Sequence, residues 1–99
     1  MGELEYVNKD IYVGTFINGK REGKGNYYYS EGTSFVGHWE QDQKVAGELT
    51  LFNGDIFKGS FKNNERYNGI YYYKNGDQYE GYWSNDVKEG FGKLVLANG

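Results

Sequence analysis

The sequence predicts an all-β protein: an elongated, single-layer antiparallel meander of stacked β-hairpins, about nine strands in all. Three observations carry that expectation. An aromatic–x–Gly–x–aromatic phrase recurs as Tyr12-Val13-Gly14-Thr15-Phe16, Phe35-Val36-Gly37-His38-Trp39, Phe57-Lys58-Gly59-Ser60-Phe61 and Tyr79-Glu80-Gly81-Tyr82-Trp83, at steps of 23, 22 and 22 residues. Further glycines keep the same frame, at Gly25, Gly47, Gly69 and Gly92 and again at Gly32, Gly54, Gly76 and Gly99. No stretch longer than a turn has the periodicity of an amphipathic helix. A fixed period of this length marks a repeat array, and an array offers an extended surface rather than one enclosed pocket.

The elements follow in order. Residues 2–11 form half a repeat, with an edge strand at Leu4-Glu5-Tyr6-Val7 and Lys9 standing where later units have glycine. Four units follow, at 12–34, 35–56, 57–78 and 79–99. Residues 11–16, 34–39, 56–61 and 78–83, rich in β-branched and aromatic types, read as each unit's first strand, and 26–30, 48–52, 70–74 and 93–96 as its second. Gly-rich stretches between them, such as Asn18 to Gly23, read as turns. The first and last units hold one extra residue, in Gly23-Lys24-Gly25 and Gly90-Phe91-Gly92 against Ala46-Gly47 and Asn68-Gly69, and an insertion confined there marks a loop. Ser30-Glu31-Gly32, Asn53-Gly54 and Asn75-Gly76 reverse the chain again, Asn-Gly being suited to a tight left-handed turn. Gly99, the turn glycine that would lead into another unit, suggests a domain cut from a longer chain at a repeat boundary.

Strand alternation sorts the side chains. Tyr12, Phe16, Phe35, Trp39, Phe57 and Phe61 share one face with Tyr27, Tyr29, Leu49, Leu51, Tyr71, Tyr73, Leu94 and Leu96. The other face is mixed, and Tyr28, Ile70, Tyr72 and Tyr82 stand out there as rings or apolar residues, expected as cross-strand pairs ahead of a second contact patch. The central glycine of each aromatic phrase is expected to leave room for a ring from a neighbouring strand. One sheet with one apolar face has no second layer to cover it, so part of that face stays open or meets a partner.

The repeat resembles the MORN (membrane occupation and recognition nexus) repeat, whose unit of about 23 residues reads roughly Tyr-x-Gly-x-Trp, then Gly-x-Gly, an apolar strand, and Asp-Gly or Asn-Gly. The last unit, Tyr79-Glu80-Gly81-Tyr82-Trp83 through Glu89-Gly90-Phe91-Gly92-Lys93-Leu94, is the nearest match; Lys44-Val45-Ala46-Gly47 and Arg66-Tyr67-Asn68-Gly69 lack the first glycine of Gly-x-Gly. The resemblance spans the whole chain. It implies an elongated, twisted sheet with a groove, and settings such as cytoskeletal or axonemal scaffolds, membrane-contact proteins, or an accessory repeat domain of a larger enzyme. A cytoplasmic, cytoskeleton-associated location is the expectation.

Composition narrows the classes. Eleven basic against 14 acidic residues give a net charge of −3, which argues against nucleic acid as a partner. There is no Cys for disulfide or thiolate chemistry. Mean hydropathy is −0.86, and no apolar run approaches the length of a membrane-spanning helix. The one histidine, His38, has no sequence-local Ser or Cys partner, the acidic residues are scattered through turns, and no metal or phosphate-loop spacing is visible. No catalytic residue, cofactor or metal is expected.

The function expected is therefore a non-catalytic scaffold that binds an extended or helical protein segment in an aromatic-lined groove. Candidate contact residues are Phe16, Tyr29, Trp39, Phe61, Tyr71, Tyr73 and Trp83, since Trp and Tyr combine large apolar area with a polar tip. The apolar C-terminal strand Lys93-Leu94-Val95-Leu96-Ala97 adds a route to a homodimer through an open sheet edge. Membrane lipid is the alternative partner. The acidic balance gives it little support, because Lys20-Arg21 with Lys24, and Lys58 with Lys62, fall short of a polybasic cluster.

Overall fold

The computed structural model describes residues 2–97; Gly99 lies outside them. Nine strands form one antiparallel sheet in strict chain order. They are β1 (Gly2–Glu5), β2 (Ile11–Ile17), β3 (Lys20–Tyr28), β4 (Ser34–Glu40), β5 (Gln43–Thr50), β6 (Ile56–Lys62), β7 (Glu65–Tyr72), β8 (Gln78–Ser84) and β9 (Val87–Val95). The extents are 46 × 23 × 19 Å, as nine strands spaced about 4.8 Å apart require.

Each hairpin closes in two residues that are both left-handed: Asn18 and Gly19 (φ 52° and 79°), Gln41 and Asp42 (51° and 67°), Asn63 and Asn64 (55° and 64°), Asn85 and Asp86 (52° and 61°). Turns of this hand match the twist of the strands they join. The second strands therefore start at Lys20, Gln43, Glu65 and Val87, well before 26, 48, 70 and 93, and the Gly-rich stretch that the sequence suggested as turn is mostly strand. Likewise the edge strand covers Gly2–Glu5 rather than residues 4–7.

The extra residue of the first and last units lies in a bulge, not a loop. Gly14 pairs with Gly25 and Phe16 with Arg21, so the surplus on β3 falls between ladder pairs. In the middle units His38 pairs with Ala46 and Trp39 with Lys44, leaving only Val45 over. A bulge absorbs the difference as local twist without breaking the register on either side.

Successive hairpins are joined by five-residue loops such as 51–55, between β5 and β6. The Leu51 N–H donates to the Asp55 carbonyl at 2.8 Å and the Gly54 N–H to the Leu51 carbonyl at 2.9 Å. Here only the glycine is left-handed, with φ 97° at Gly54 and 99° at Gly76. Asn53 instead uses its side chain to accept the Asp55 N–H at 3.0 Å, so Asn-Gly does not make the tight turn expected of it. Lys9 occupies the same left-handed position with φ 78°.

The core runs along one face. Gly2, Gly14, Gly25, Gly37, Gly47, Gly59, Gly69, Gly81 and Gly92 pair in succession, one from every strand. Rings lie on this row. A Cβ on Gly14 would meet the Tyr12 hydroxyl at 2.6 Å, and one on Gly37 would meet the Phe35 ring at 2.7 Å. The ring thus comes from two residues earlier in the same first strand and also covers the partner strand's glycine, a narrower arrangement than a ring from a neighbouring strand.

Over the row the rings form a continuous edge-to-face chain. Trp39 sits against Tyr12 of the previous hairpin (5.4 Å, 89°) and Phe35 of its own (5.5 Å, 90°). Phe61 repeats this against Phe35 and Phe57, and Trp83 against Phe57 and Tyr79. Each such pair contributes about 0.5–1.5 kcal/mol beyond burial, so the second aromatic of each phrase fastens its hairpin to the one before. Tyr12, Phe35, Trp39, Phe57, Phe61, Tyr79 and Trp83 are the buried core.

On the opposite face Tyr82 packs edge-on to Tyr67 at 5.7 Å, and the Lys58 ammonium lies 5.4 Å from the Tyr72 ring. Tyr82 and Tyr72 thus make cross-strand contacts, whereas the Tyr28 hydroxyl accepts from Asn26 of its own strand at 3.3 Å.

Candidate interaction groove

The seven aromatics singled out by the sequence share the core face, but they separate by depth. Trp39, Trp83 and Phe61 retain 2, 4 and 8 % of their surface and form a floor. Trp39 is further tied down where its indole N–H donates to the Gly25 carbonyl at 3.2 Å. Phe16, Tyr29, Tyr71 and Tyr73 are half-buried and rise from that floor. The Tyr71 hydroxyl donates to Asp55 Oδ2 at 2.7 Å; burial, then this bond, pushes its pKa up to about 12. Burial raises Tyr29 to about 12 as well. Both present neutral hydroxyls.

Facing these tyrosines is a row of cations that adjacency in the sequence did not reveal. Arg21, Lys44, Arg66 and Lys88 each follow a hairpin turn by two residues, and they recur at the repeat's own steps of 23, 22 and 22. They lie over the rings. The Arg21 guanidinium is 4.6 Å from the Trp39 ring, the Lys44 ammonium 5.0 Å from Tyr29, the Arg66 guanidinium 5.5 Å from Tyr71, and the Lys88 ammonium 4.8 Å from Tyr79. Cation–π contacts of this kind contribute about 0.5–1 kcal/mol where exposed. Scanning basic residues at the repeat period, rather than in runs, finds the row.

Two of these cations, Arg21 and Arg66, are also held by the next hairpin's tip. Asp42 Oδ1 accepts both the Arg21 backbone N–H (2.7 Å) and Nε (3.1 Å), and Arg21 Nη2 reaches the Asp42 carbonyl at 3.3 Å. Those bonds, the backbone N–H foremost, outweigh the opposing effect of burial and hold Asp42 below the usual carboxylate range. Asp86 repeats the arrangement on Arg66. Between them, Asn64 Oδ1 accepts the Lys44 backbone N–H at 2.8 Å and brings no charge. Among the described residues Lys44 has no ion pair. Burial pulls its pKa down to about 8, with Asp86 opposing and Arg21 adding to the shift.

The rim at the other end of the strands is acidic. Asp10 accepts the Ser30 N–H and the Tyr27 hydroxyl, both at 2.8 Å, while Asp55 accepts the Lys74 N–H at 2.8 Å and Asp77 the Ala97 N–H at 2.8 Å. Thr33 takes this place at the end of the first full unit and accepts the Phe52 N–H at 3.2 Å. These side chains stitch each loop to the next, which accounts for Asp at the loop ends.

Between the rims lie three hollows. One of about 210 Å³ is bounded by Arg21, Tyr27, Trp39 and Lys44, a second of about 210 Å³ by Tyr29, Lys44, Leu49 and Phe61, and a third of about 350 Å³ by Arg66, Tyr71, Tyr73 and Lys88. His38 lies on the opposite face, beside an apolar hollow of about 490 Å³ over the glycine row. Among the described residues no three His, Cys, Asp or Glu side chains gather as metal ligands, and no helix is long and apolar enough to cross a membrane.

Hairpins of one type stacked through shared rings, with a row of hollows along one face, define a β-repeat array, an architecture that presents an extended surface. The MORN repeat family model matches residues 12–34, 68–78 and 79–99. The chain belongs to the MORN repeat family. The unmatched stretch, 35–67, includes the first Gly-x-Gly departure and the whole of the Lys44–Asn64 rung. Alsin from Rattus norvegicus is 31% identical over 72 residues, covering 67% of this chain and 4% of alsin; alsin from Homo sapiens is 29% identical over the same span. The inactive protein tyrosine kinase pTKL of Plasmodium falciparum (isolate 3D7) is 37% identical over 51 residues, covering 52% of this chain and 3% of its own. The chain thus matches only a small part of the length of these relatives.

Proposed function

We propose that this array is a non-catalytic interaction module that receives a segment of another protein along its groove. The succession of three hollows between a tyrosine wall and a cationic wall supports this reading above all. The buried floor rings hold the stack together, and contact falls to the half-buried Tyr29, Tyr71, Tyr73 and Phe16 and to the cations. Because the matching regions are a few per cent of alsin and pTKL, the same role as an accessory module of a longer chain is part of the proposal.

The test is a pulldown with wild type beside Tyr29→Ser/Tyr73→Ser, with urea denaturation confirming the variant's fold. Loss of a captured protein with the wall variant supports the groove. Undiminished capture by a folded variant sinks it.

Self-association is a second reading, carried by β9. Phe91 is 97 % exposed, and Leu94 and Val95 are 57 and 45 % exposed, on a strand whose outer edge is unpaired among the described residues. Such an edge is a template for another strand. Sedimentation velocity over a hundredfold concentration range distinguishes a dimer from a monomer, and Val95→Lys is expected to abolish the dimer.

A further inference from the structure

Resting on the groove reading, we infer that Lys44 is an anchoring point for a single carboxylate, an Asp or Glu side chain on an extended partner segment seated over Tyr29, Leu49 and Phe61. The row of cations breaks its symmetry at Lys44. Arg21 and Arg66 occupy the same place in their hairpins, and each is neutralised by the aspartate of the next hairpin's tip. At Lys44 that aspartate is Asn64, which satisfies the backbone N–H and leaves the ammonium without a counter-ion. The charge is neither on the rim nor in bulk water. It lies over the rings of Tyr29, Phe35 and Phe61, at 5.0, 5.6 and 5.8 Å, and it lines two of the three hollows. A half-buried cation with apolar surroundings is the setting in which an incoming anion gains most, since little water competes for either charge.

The surroundings also select the anion. Glu31 and Asp86 border the same hollow. They repel a doubly charged phosphate more than a carboxylate, and one negative charge balances one ammonium. At about 210 Å³ the hollow admits a side chain, not a folded element. Tyr29, Leu49 and Phe61 line this hollow together with Lys44 and supply apolar contact, so the acidic residue is expected to have apolar or aromatic neighbours.

A random nine-residue peptide library displayed on phage, selected against the immobilised wild-type chain, tests the inference. Lys44→Met removes the cation and Asn64→Asp keeps it but restores the missing counter-ion; urea curves establish that both fold. Wild type is expected to enrich peptides with Asp or Glu at one aligned position. Synthetic versions should bind each variant, and bind as their own Asn or Gln counterparts bind wild type, roughly tenfold more weakly. Enriched peptides without an acidic preference that still lose binding in Tyr29→Ser/Tyr73→Ser overturn the carboxylate site and leave the groove standing. Failure to enrich any groove-dependent peptide overturns both. Lys44-dependent sedimentation with phosphatidylserine vesicles, without peptide enrichment, overturns the peptide in favour of a lipid surface.

Discussion

Arg21 and Lys44 stand in the same place on successive hairpins, yet one is closed by its neighbour and the other is left open. Arg21 is clamped by two bonds to one carboxylate oxygen and one to a carbonyl, whereas Lys44 has only a backbone contact to an amide. A repeat needs its rungs to transmit registry from hairpin to hairpin, and the backbone bond does that with either Asp or Asn. The charge pairing is an addition that two rungs have and the central one lacks. What varies on a constant frame is therefore the charge pairing of the cation row, and the proposed carboxylate anchor lies where the fold itself does not depart from the repeat.

Both kinds of rung rest on the same floor, so Trp39→Ala, which removes the ring shared by two hairpins, is expected to lower stability by about 3–5 kcal/mol; urea denaturation measures it. A loss no larger than that of a wall residue such as Tyr29 would show that the floor is not the element joining hairpins. Next in size, Asp42→Ala strands the Arg21 backbone N–H and guanidinium and is expected to lower stability by about 1–2 kcal/mol, against about 0.5–1 kcal/mol for Asn64→Ala. Equal losses would mean the charge pairing contributes nothing.

Asn64→Asp supplies the missing counter-ion. It is expected to raise stability by up to about 1 kcal/mol, given the partial exposure of such pairs, and the gain should vanish in Lys44→Met and shrink at high salt. A further effect concerns pH. Lys44 faces Arg21, Asp86, Asn64 and Tyr29 and is depressed from 10.5 to about 8 in the fold. Between those values the unfolded chain binds more protons at this site than the folded one, so its contribution to stability rises with pH from about 8 toward 10. Above pH 10 the raised tyrosines act oppositely, because Tyr29 stays protonated in the fold while its unfolded counterpart, with a value of 10.0, does not. Chemical denaturation at pH 7.5, 8.5 and 9.5 should show a rise in wild type that Lys44→Met flattens; an identical slope in the variant would contradict the desolvated ammonium.

Much of the fold was legible because the repeat states its own geometry. The glycines at a fixed frame, the aromatic pairs and strand alternation lead to an all-β meander with its rings on one face, and the sheet has both. Turn geometry was less legible. Two-residue turns made by Gln41-Asp42 and Asn63-Asn64 lack the glycine that marks Asn18-Gly19, and bulged pairing lets a Gly-rich stretch read as a turn when it is strand. The groove was half legible. Parity places Trp39, Phe61, Trp83, Tyr29, Tyr71, Tyr73 and Phe16 on one face, but depth within a face depends on which ring lies under which, and that is set by neighbours some twenty residues away.

By itself the sequence determined the family, the period, the strand faces and the glycine row, because each is a local or periodic property of residue types. Only the tertiary structure decided which aromatics are floor and which are wall, and that Lys44 alone among the three inner rungs meets an amide instead of a carboxylate. The physical reason is one of distance along the chain. Burial and charge pairing here arise between residues about 20 positions apart that the hairpin stack brings within hydrogen-bond reach, and a side chain's neighbours in sequence carry no record of them.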